Sequence, residues 1–454
     1  MEVIIIQNIS NHTRKFVIDF FNELKQKEIL YCILRNYELL PTEMGHDIDI
    51  LMKDANNDII NKTIIPIVKC LGWNCYLKCS SYKFYTLICY SILTNSEVNI
   101  IQLDIWTDLK WRGISWIDCE YILNTRRSYG DYFIPALGCE AAVTSLKEMM
   151  GRSFVKEKYY KTIQNGSLND KENFLNCLLP KLGNDLSEKI FDFCKNGDFL
   201  ELDKYGKKIR SNLRLSQNIN YFLYCCDLFK VRCKRLFRHK GKFIMFVGPD
   251  GSGKTTIMNR EIEYMKSFFD GVTQYHIRYG IFPELKTGYG FSSMKGKIGS
   301  SDEHKGNKES KIMKRSLISI LASLFVVFYY SLEFICGNRI ISKHTRKGRL
   351  VVFDRYFYDF FVQPTTRDLI WPLRHILFAL VKKPDIVIHL NANPEVVYAR
   401  KQELQKNEIK VQNDYYTKLL NHKNYAVMIN TDIKGIDEIS AEIFEIFMRF
   451  FYNE

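Results

Sequence analysis

No Cys-x-x-Cys pair occurs in this chain, although it holds thirteen cysteines, an odd number. Cys70, Cys75 and Cys79 come nearest to a ligand cluster, but neither a histidine nor a fourth cysteine stands beside them to complete a site. This spacing argues against a disulfide framework or a structural zinc centre and favours buried thiols in a reducing compartment. The opening residues, Met-Glu-Val-Ile-Ile-Ile-Gln-Asn, lack the basic start and long apolar region of a secretory signal, so a cytoplasmic protein is expected. Acidic residues are missing between Asp227 and Asp250, a gap that contains Lys230-Val-Arg-Cys-Lys-Arg-Leu-Phe-Arg-His-Lys-Gly-Lys242. A solvated basic linker is the default reading of such a run, with nucleic-acid or anionic-lipid contact as the alternatives.

What is present suits a soluble protein of more than one domain. The chain has 454 residues, of which 46% are hydrophobic, enough for two or three domains with sizeable cores. Its formal charge of +14 favours anionic partners, such as nucleotides, phosphorylated sugars, nucleic acid or an anionic membrane surface, without choosing among them.

Residues 243–259 are the most informative stretch. A short apolar run passes into Gly248-Pro-Asp250-Gly251-Ser252-Gly253-Lys254-Thr255-Thr256 and on into a helix-compatible segment, which is a P-loop in its strand-to-helix setting. Glycines let backbone N–H groups close around a phosphate, and the helix opening adds partial positive charge. Lys254 is expected to reach the β and γ phosphates of ATP, and the Thr255 hydroxyl to ligate Mg²⁺. A second apolar strand, 350–354, ends in Asp354-Arg355-Tyr356, where a carboxylate can meet the metal and the transferred phosphoryl group. With further strands expected at 243–247, 272–277, 385–390 and 426–430, residues 241–454 read as a doubly wound parallel α/β domain. Phosphoryl transfer needs cations on the moving oxygens, and this P-loop has a lysine but no arginine. Arg400, Lys401, Lys406 and Lys410 are the candidates to supply that charge.

The apolar segment 317–336, with Glu333 its only charge, is long enough to span a bilayer. A single crossing would separate the P-loop from Asp354, which must share one Mg²⁺. A buried or interface helix of the kinase core is therefore expected, with membrane-surface contact as the alternative.

Residues 1–135 alternate strand-like runs (3–6, 29–34, 48–52, 98–105) with helical ones such as 15–27, so a second α/β domain is expected. In Gly45-His46-Asp47-Ile48-Asp49-Ile50, alternation along a strand puts Asp47 and Asp49 on one face, a platform for a divalent metal. His46 reads as a loop residue. Asp104 follows on a later strand. Residues 136–240 are mostly helical (140–150, 172–179, 187–196, 219–236) and read as a connecting helical domain ending in the basic linker.

Two resemblances come with these motifs. Asp-x-Asp followed by a distant strand Asp resembles the nucleotidyltransferase superfamily that includes DNA polymerase β, which implies metal binding by Asp47, Asp49 and Asp104. The usual Gly-Ser turn before the acids is missing, and Arg35 is the candidate to contact phosphate instead. The P-loop, Asp-Arg-Tyr, Lys-Pro-Asp385-Ile-Val-Ile-His-Leu and Pro394-Glu395-Val396 with Arg400 resemble the thymidylate kinase family over about 210 residues. That resemblance implies that Asp250 contacts the acceptor's sugar, that Arg355 lies in the acceptor pocket, and that a mobile lid begins near Arg400. The family's Arg-Glu-Pro-Gly segment is replaced by His276-Ile-Arg278-Tyr-Gly-Ile-Phe-Pro283, and Asp359 stands where a serine is usual after Asp-Arg-Tyr. The pattern resembles a divergent branch that includes fused forms associated with bacterial surface-polysaccharide genes. Arg278 and Arg367 are candidates either to clamp a phosphate or to form structural ion pairs, and 290–309 reads as a mobile loop near that pocket.

The function expected from the sequence is an ATP- and Mg²⁺-dependent phosphotransferase acting on a nucleoside monophosphate or a related phosphorylated or sugar metabolite. Catalytic work falls to Lys254, Asp354, Arg355 and Arg400. Nucleotide binding falls to Gly248, Asp250, Gly251, Ser252, Gly253, Lys254, Thr255 and Thr256, and metal binding to Thr255 and Asp354. The alternatives are metal-dependent nucleotidyl transfer, alone or beside the kinase, in surface-polysaccharide precursor metabolism, and a nucleotide-gated binding protein. Small-molecule partners are expected rather than nucleic acid; peripheral membrane contact and a homodimer are compatible with the sequence.

Overall fold

The computed structural model describes residues 7, 8, 10–44, 47–80, 84–152, 154–237, 241–283, 285, 317–363, 366–402 and 404–452. The expected strand at 3–6, the loop residue His46 and the loop 290–309 lie outside them. The chain forms two compact units, Met1–Leu93 with Val98–Cys233, and Thr94–Glu97 with Lys234–Glu454.

The first unit is built on a mixed five-stranded sheet. Its strands are β1 (Tyr31–Ile33), β2 (Ile48–Met52), β3 (Asn74–Ser80), β4 (Phe84–Ile92) and β5 (Val98–Trp106), in the order β1-β2-β5-β4-β3. Only β2 and β5 run parallel. Every described side chain of β2 is buried, because both faces of the sheet are covered. Tyr31, Ile33, Ile48, Ile50 and Met52 pack with Phe16, Val17, Phe20, Phe21 and Leu24 of the helix Asn11–Gln26. These helix residues recur at three- and four-residue spacing and form one apolar stripe. The Ser10 hydroxyl caps the helix by accepting from the Thr13 N–H at 3.2 Å. Truncating one of the buried rings, as in Phe20→Ala, costs about 3–5 kcal/mol.

The other face explains why the helical region does not stand apart. Cys32, Leu34 and Leu51 belong to the same core as the helix Leu137–Arg152 and the helices that follow it, Tyr160–Asn169, Lys171–Leu182, Asn184–Asn196 and Phe199–Ser216. The residues expected to form a connecting domain thus cover the second face of the first sheet. Gly138 and Gly166 make the close helix crossings there: a Cβ on Gly138 would lie 2.1 Å from the Asp170 carbonyl oxygen, and one on Gly166 2.5 Å from that of Leu137.

The second unit holds a five-stranded, wholly parallel sheet of β6 (Phe243–Val247), β7 (Val272–His276), β8 (Leu350–Asp354), β9 (Ile386–Asn391) and β10 (Ala426–Asn430). The order is β7-β8-β6-β9-β10, so the chain leaves β6 for the edge strand β7, returns to β8 beside β6, and then crosses to β9 and β10 on the other side. Such a reversal opens a crevice at the carboxyl ends of the strands beside the centre. β6 and β8 are buried along their whole length, as expected of parallel strands covered on both faces.

The apolar segment is part of one 30-residue helix, Leu317–Arg346. Its stretch Leu324–Arg346 is long and apolar enough to cross a membrane by length and composition, and 44% of its apolar window is buried. Val326, Val327, Tyr330, Phe334 and Ile341 enter the core of the parallel sheet. Leu321, Phe325, Phe328 and Leu332 form an exposed stripe on the same helix.

Candidate functional site

The carboxyl ends of β6 and β8 position the kinase-type site. Directly after Val247, Gly248 adopts φ 146°, and a Cβ there would lie 2.4 Å from the Leu390 carbonyl oxygen, so only glycine lets the loop pass the neighbouring strand. Gly253 takes φ 89° and caps the helix Lys254–Met265, whose first N–H groups face an incoming anion. Ser252 is buried, and its hydroxyl has no hydrogen-bond partner among the described residues.

Parallel register brings the metal candidates together. Phe246 lies opposite Asp354. The Thr255 hydroxyl donates to Asp354 Oδ2 across 3.5 Å, and His276 Nδ1 lies 3.1 Å from the same oxygen. Asp354 Oδ1 is buried with no partner among the described residues. A buried carboxylate oxygen left open beside a threonine hydroxyl is a donor set that fits Mg²⁺.

Lys254 is almost wholly buried and donates to the Pro249 carbonyl at 2.8 Å, with Asp250 Oδ1 3.8 Å away. Burial, reinforced by the Arg355 charge, holds its ammonium down to about 8. The side chain is thus poised to gain from an arriving phosphate.

Arg355 has φ 63°, unusual outside glycine, with its N–H bonded to the Phe246 carbonyl at 2.9 Å. Just past the end of β7, Ile277 takes φ 60°, its N–H donating to the Asp354 backbone carbonyl at 2.8 Å. Two positive-φ residues beside Asp354 mark the place where the chain departs from regular strand geometry to form the site. The Arg355 guanidinium pairs with Asp250 and, at 3.3 Å, with Asp359. Asp359 also accepts from the Tyr416 hydroxyl at 2.6 Å and from Gln363 Nε2 at 2.9 Å. Burial pushes the Asp250 carboxyl up, but Arg355 and Lys254 outweigh it and hold the group below the usual carboxylate range.

The lid cations divide. Arg400 donates to the Thr431 carbonyl at 3.1 Å and, with Gly253, Thr256, Thr431, Ile436 and Ile439, lines a cavity of about 240 Å³ beside the helix opening. Lys401 lies against Gly251. Lys406 pairs with Glu395, and Lys410 lines a separate cavity with Asn391, Asn413 and Asp432. Arg278 and Arg367 are in ion pairs, Arg278 with the fully buried Glu333 at 2.7 Å and Arg367 with Glu408 at 2.8 Å.

In the first unit, the pairing of Asp49 with Asp104 across β2 and β5 gathers Asp47, Asp49 and Asp104 so that one ligand atom from each lies within 4.8 Å of the others. The helix Leu137–Arg152 adds residues that the sequence did not single out. Lys147 Nζ reaches Asp49 Oδ2 at 2.9 Å, beside Arg35 Nε at 2.7 Å, while Trp106 Nε1 donates to Asp49 Oδ1 at 3.0 Å. Burial pushes the Asp49 carboxyl up, but Lys147 and Arg35 outweigh it and hold it at about 2. Asp104 accepts from Thr86 at 3.0 Å and Gln102 at 3.1 Å, yet burial and the Asp47 charge push it up to about 6. A cavity of about 290 Å³ adjoins this cluster, lined by Arg35, Lys147, Trp106, Trp111 and Trp116.

No protein-family model matches the chain. Its sequence is 26% identical over 220 residues to a probable thymidylate kinase of Methanococcus aeolicus, covering 46% of this chain and 96% of that protein. Among solved structures, a thymidylate kinase from Candida albicans matches 46% of this chain and 91% of its own at 16% identity, with a TM-score of 0.31. The chain is thus a mixed α/β protein with thymidylate kinase-like homology over roughly 46% of its length. The P-loop, Asp-Arg-Tyr and the strands between them all lie in the second unit.

Proposed function

We propose that this protein is an ATP- and Mg²⁺-dependent kinase of the thymidylate kinase-like class, phosphorylating a nucleoside monophosphate or a related phosphorylated or sugar metabolite. One observation carries the reading: the Thr255 hydroxyl and the Asp354 carboxylate meet at 3.5 Å, with Asp354 Oδ1 left open and the glycine cradle beside them. Thr255 and Asp354 would hold Mg²⁺, which supplies charge neutralisation on the β and γ phosphates when bound. Lys254 leaves Pro249 and Asp250 for the phosphates, and the backbone of 248–254 surrounds them. Asp250 and Arg355 orient the acceptor. Arg400, beside the cavity at the helix opening, holds the nucleotide's far end rather than the transferred group.

The finer assignment belongs to the same proposal: a nucleotidyltransferase-like domain over 1–135, helical residues 136–240, a thymidylate kinase-like domain over 241–454, and a cytoplasmic location. The exposed stripe of Leu321, Phe325 and Phe328 supports peripheral contact with a membrane surface.

A second reading, nucleotidyl transfer in the first unit, is favoured by the convergence of Asp47, Asp49 and Asp104. Asp104 is raised by burial first and by the Asp47 charge second, and a cation between Asp47 and Asp104 would relieve both. Asp49 fits less well, since Arg35, Lys147 and Trp106 occupy both its oxygens. ATP labelled at the α or the γ phosphate, incubated with a metabolite extract, separates the readings. Transfer of γ label supports the kinase and transfer of α label the first unit. Retention of both labels on ATP rejects both.

A further inference from the structure

If the kinase reading above is right, the Asp354 carboxylate needs one fixed orientation, and the turn that follows β7 brings a group that can set it. Parallel pairing of β7 with β8 puts His276 opposite Asp354. The ring Nδ1 lies 3.1 Å from Asp354 Oδ2, closer than the Thr255 hydroxyl at 3.5 Å from the same atom. Main chain holds the two residues in this register, since the Ile277 N–H donates to the Asp354 backbone carbonyl at 2.8 Å. Just beyond, the turn is tied to Glu333 of the helix Leu317–Arg346. Glu333 Oε2 takes Arg278, through Nε at 2.9 Å and a terminal nitrogen at 2.7 Å, and Oε1 accepts from the Ile281 N–H at 2.9 Å. The Arg278 guanidinium also donates to the Phe282 carbonyl at 2.8 Å. His276 is therefore carried by a segment anchored on both sides, at Asp354 and at a fully buried acid.

A carboxylate that holds Mg²⁺ is ionised and can only accept hydrogen bonds, so the contact places a hydrogen on Nδ1. The last torsion of an aspartate is broad and roughly two-fold, and without a fixed donor either oxygen can face the ion. The His276 N–H removes that freedom: it claims Oδ2 and leaves Oδ1, buried and open, for the metal. Oδ2 also stays satisfied when the Thr255 hydroxyl turns its oxygen to the metal. The histidine stands in the segment that replaces the Arg-Glu-Pro-Gly of thymidylate kinases, so the family resemblance supplies no role for it.

The geometry points to His276 as a positioning residue of the kinase site: its Nδ1–H fixes the Asp354 carboxylate so that Oδ1 is presented to Mg²⁺, and it thereby sets the affinity of the nucleotide site for the ion. In this role His276 touches neither the metal nor the nucleotide. Removing an outer donor of this kind typically lowers metal affinity by about 10-fold to 100-fold. The His276 side chain is more than half exposed, so replacing it leaves the core of the parallel sheet intact.

The test follows binding of a fluorescent ATP analogue to the full chain as Mg²⁺ is titrated, and the signal that disappears in Lys254→Ala is assigned to the second unit. His276→Phe keeps a ring and removes the donor, whereas His276→Asn keeps an N–H close to the position of Nδ1. The Phe variant should raise the Mg²⁺ concentration giving half-maximal binding about 10-fold, and the Asn variant should return it to within about 3-fold of the unaltered chain. Affinity for the analogue without metal should be the same in all of them. A ring that merely packs would leave the Phe variant like the unaltered chain; that result, or failure of the Asn variant to restore the titration, overturns the role. Asp354→Asn is measured beside them. If it abolishes the Mg²⁺ dependence while His276→Phe leaves it unmoved, the positioning role falls and the kinase reading stands. If the unaltered chain shows no Mg²⁺ dependence, or Asp354→Asn leaves it unchanged, the metal assignment of the kinase reading falls and the role of His276 falls with it. Should the Phe variant fail to fold, His276→Ala makes the same comparison.

Discussion

Both units gather carboxylates at the ends of parallel strands, but they neutralise them in opposite ways. In the second unit Asp354 keeps one buried oxygen open, and the P-loop lysine, Lys254, is bonded to a carbonyl that it can leave. In the first, Asp49 has both oxygens filled by Arg35, Lys147 and Trp106, while Asp104 remains crowded. A site that leaves its acid unsatisfied waits for a ligand from outside. One that brings its own cations can hold its shape without any. The contrast is why the kinase reading stands first.

Several substitutions would break or sharpen that contrast. The largest effect is expected from Lys254→Ala, which should lower γ-phosphoryl transfer by about 1,000-fold, the scale of losing a preorganised cation, with the circular dichroism spectrum unchanged. Retained turnover would remove the difference between the sites. Asp354→Asn should cost about 100-fold and shift the Mg²⁺ concentration giving half-maximal rate upward, read from a metal titration.

The Lys254 ammonium, held at about 8, gives a weaker effect with a definite sign. It is charged below that pH and loses its proton above it, so ATP affinity should fall as pH rises past 8, by at most about 10-fold per pH unit. Calorimetry in buffers of different ionisation enthalpy should show proton uptake on binding near pH 8.5. In the first unit, Asp104 has its folded value raised to about 6 from 3.8, so its ionisation opposes folding above pH 6 and the penalty is relieved as pH falls toward 4. The difference amounts to about 3 kcal/mol at most. Asp49, lowered to about 2, works the other way: its contribution is present above about pH 4 and is lost as pH falls through 2. Mn²⁺ should therefore raise the melting temperature of the full chain more at pH 7.5 than at pH 5 if the first unit takes a metal, and Lys147→Met should enlarge that gain by removing one of the two cations on Asp49 Oδ2. Equal melting with and without metal at both pH values would make the acid cluster purely structural.

Much of the second unit was legible because its signals are local. The P-loop is one contiguous motif, and the five expected strands fall within a residue of Phe243–Val247, Val272–His276, Leu350–Asp354, Ile386–Asn391 and Ala426–Asn430, since buried parallel strands are short continuous apolar runs. Asp47 and Asp49 were legible through strand alternation. Lys147 was not: it lies 98 residues from Asp49 and looks in sequence like any solvated helix lysine, and only the packing of Leu137–Arg152 on the acid face of the sheet turns it inward. The Tyr416 bond to Asp359 spans 57 residues and escaped for the same reason. The helical character of the region holding Tyr160–Asn169 and Phe199–Ser216 was legible but its packing was not, because an apolar stripe shows that a helix packs without showing on what.

Glu333 has a consequence of its own. It is the sole charge in residues 317–336, so within that apolar stretch of the helix Leu317–Arg346 burial alone distinguishes one side from another only weakly. The paired guanidinium of Arg278, also stacked over Tyr330 at 4.1 Å, works as a key in a slot: only one rotation lets the carboxylate find it. Replace that acid with leucine and residues 317–336 lose their one charge, leaving a stretch better suited to lipid and less firmly keyed to the sheet it now covers.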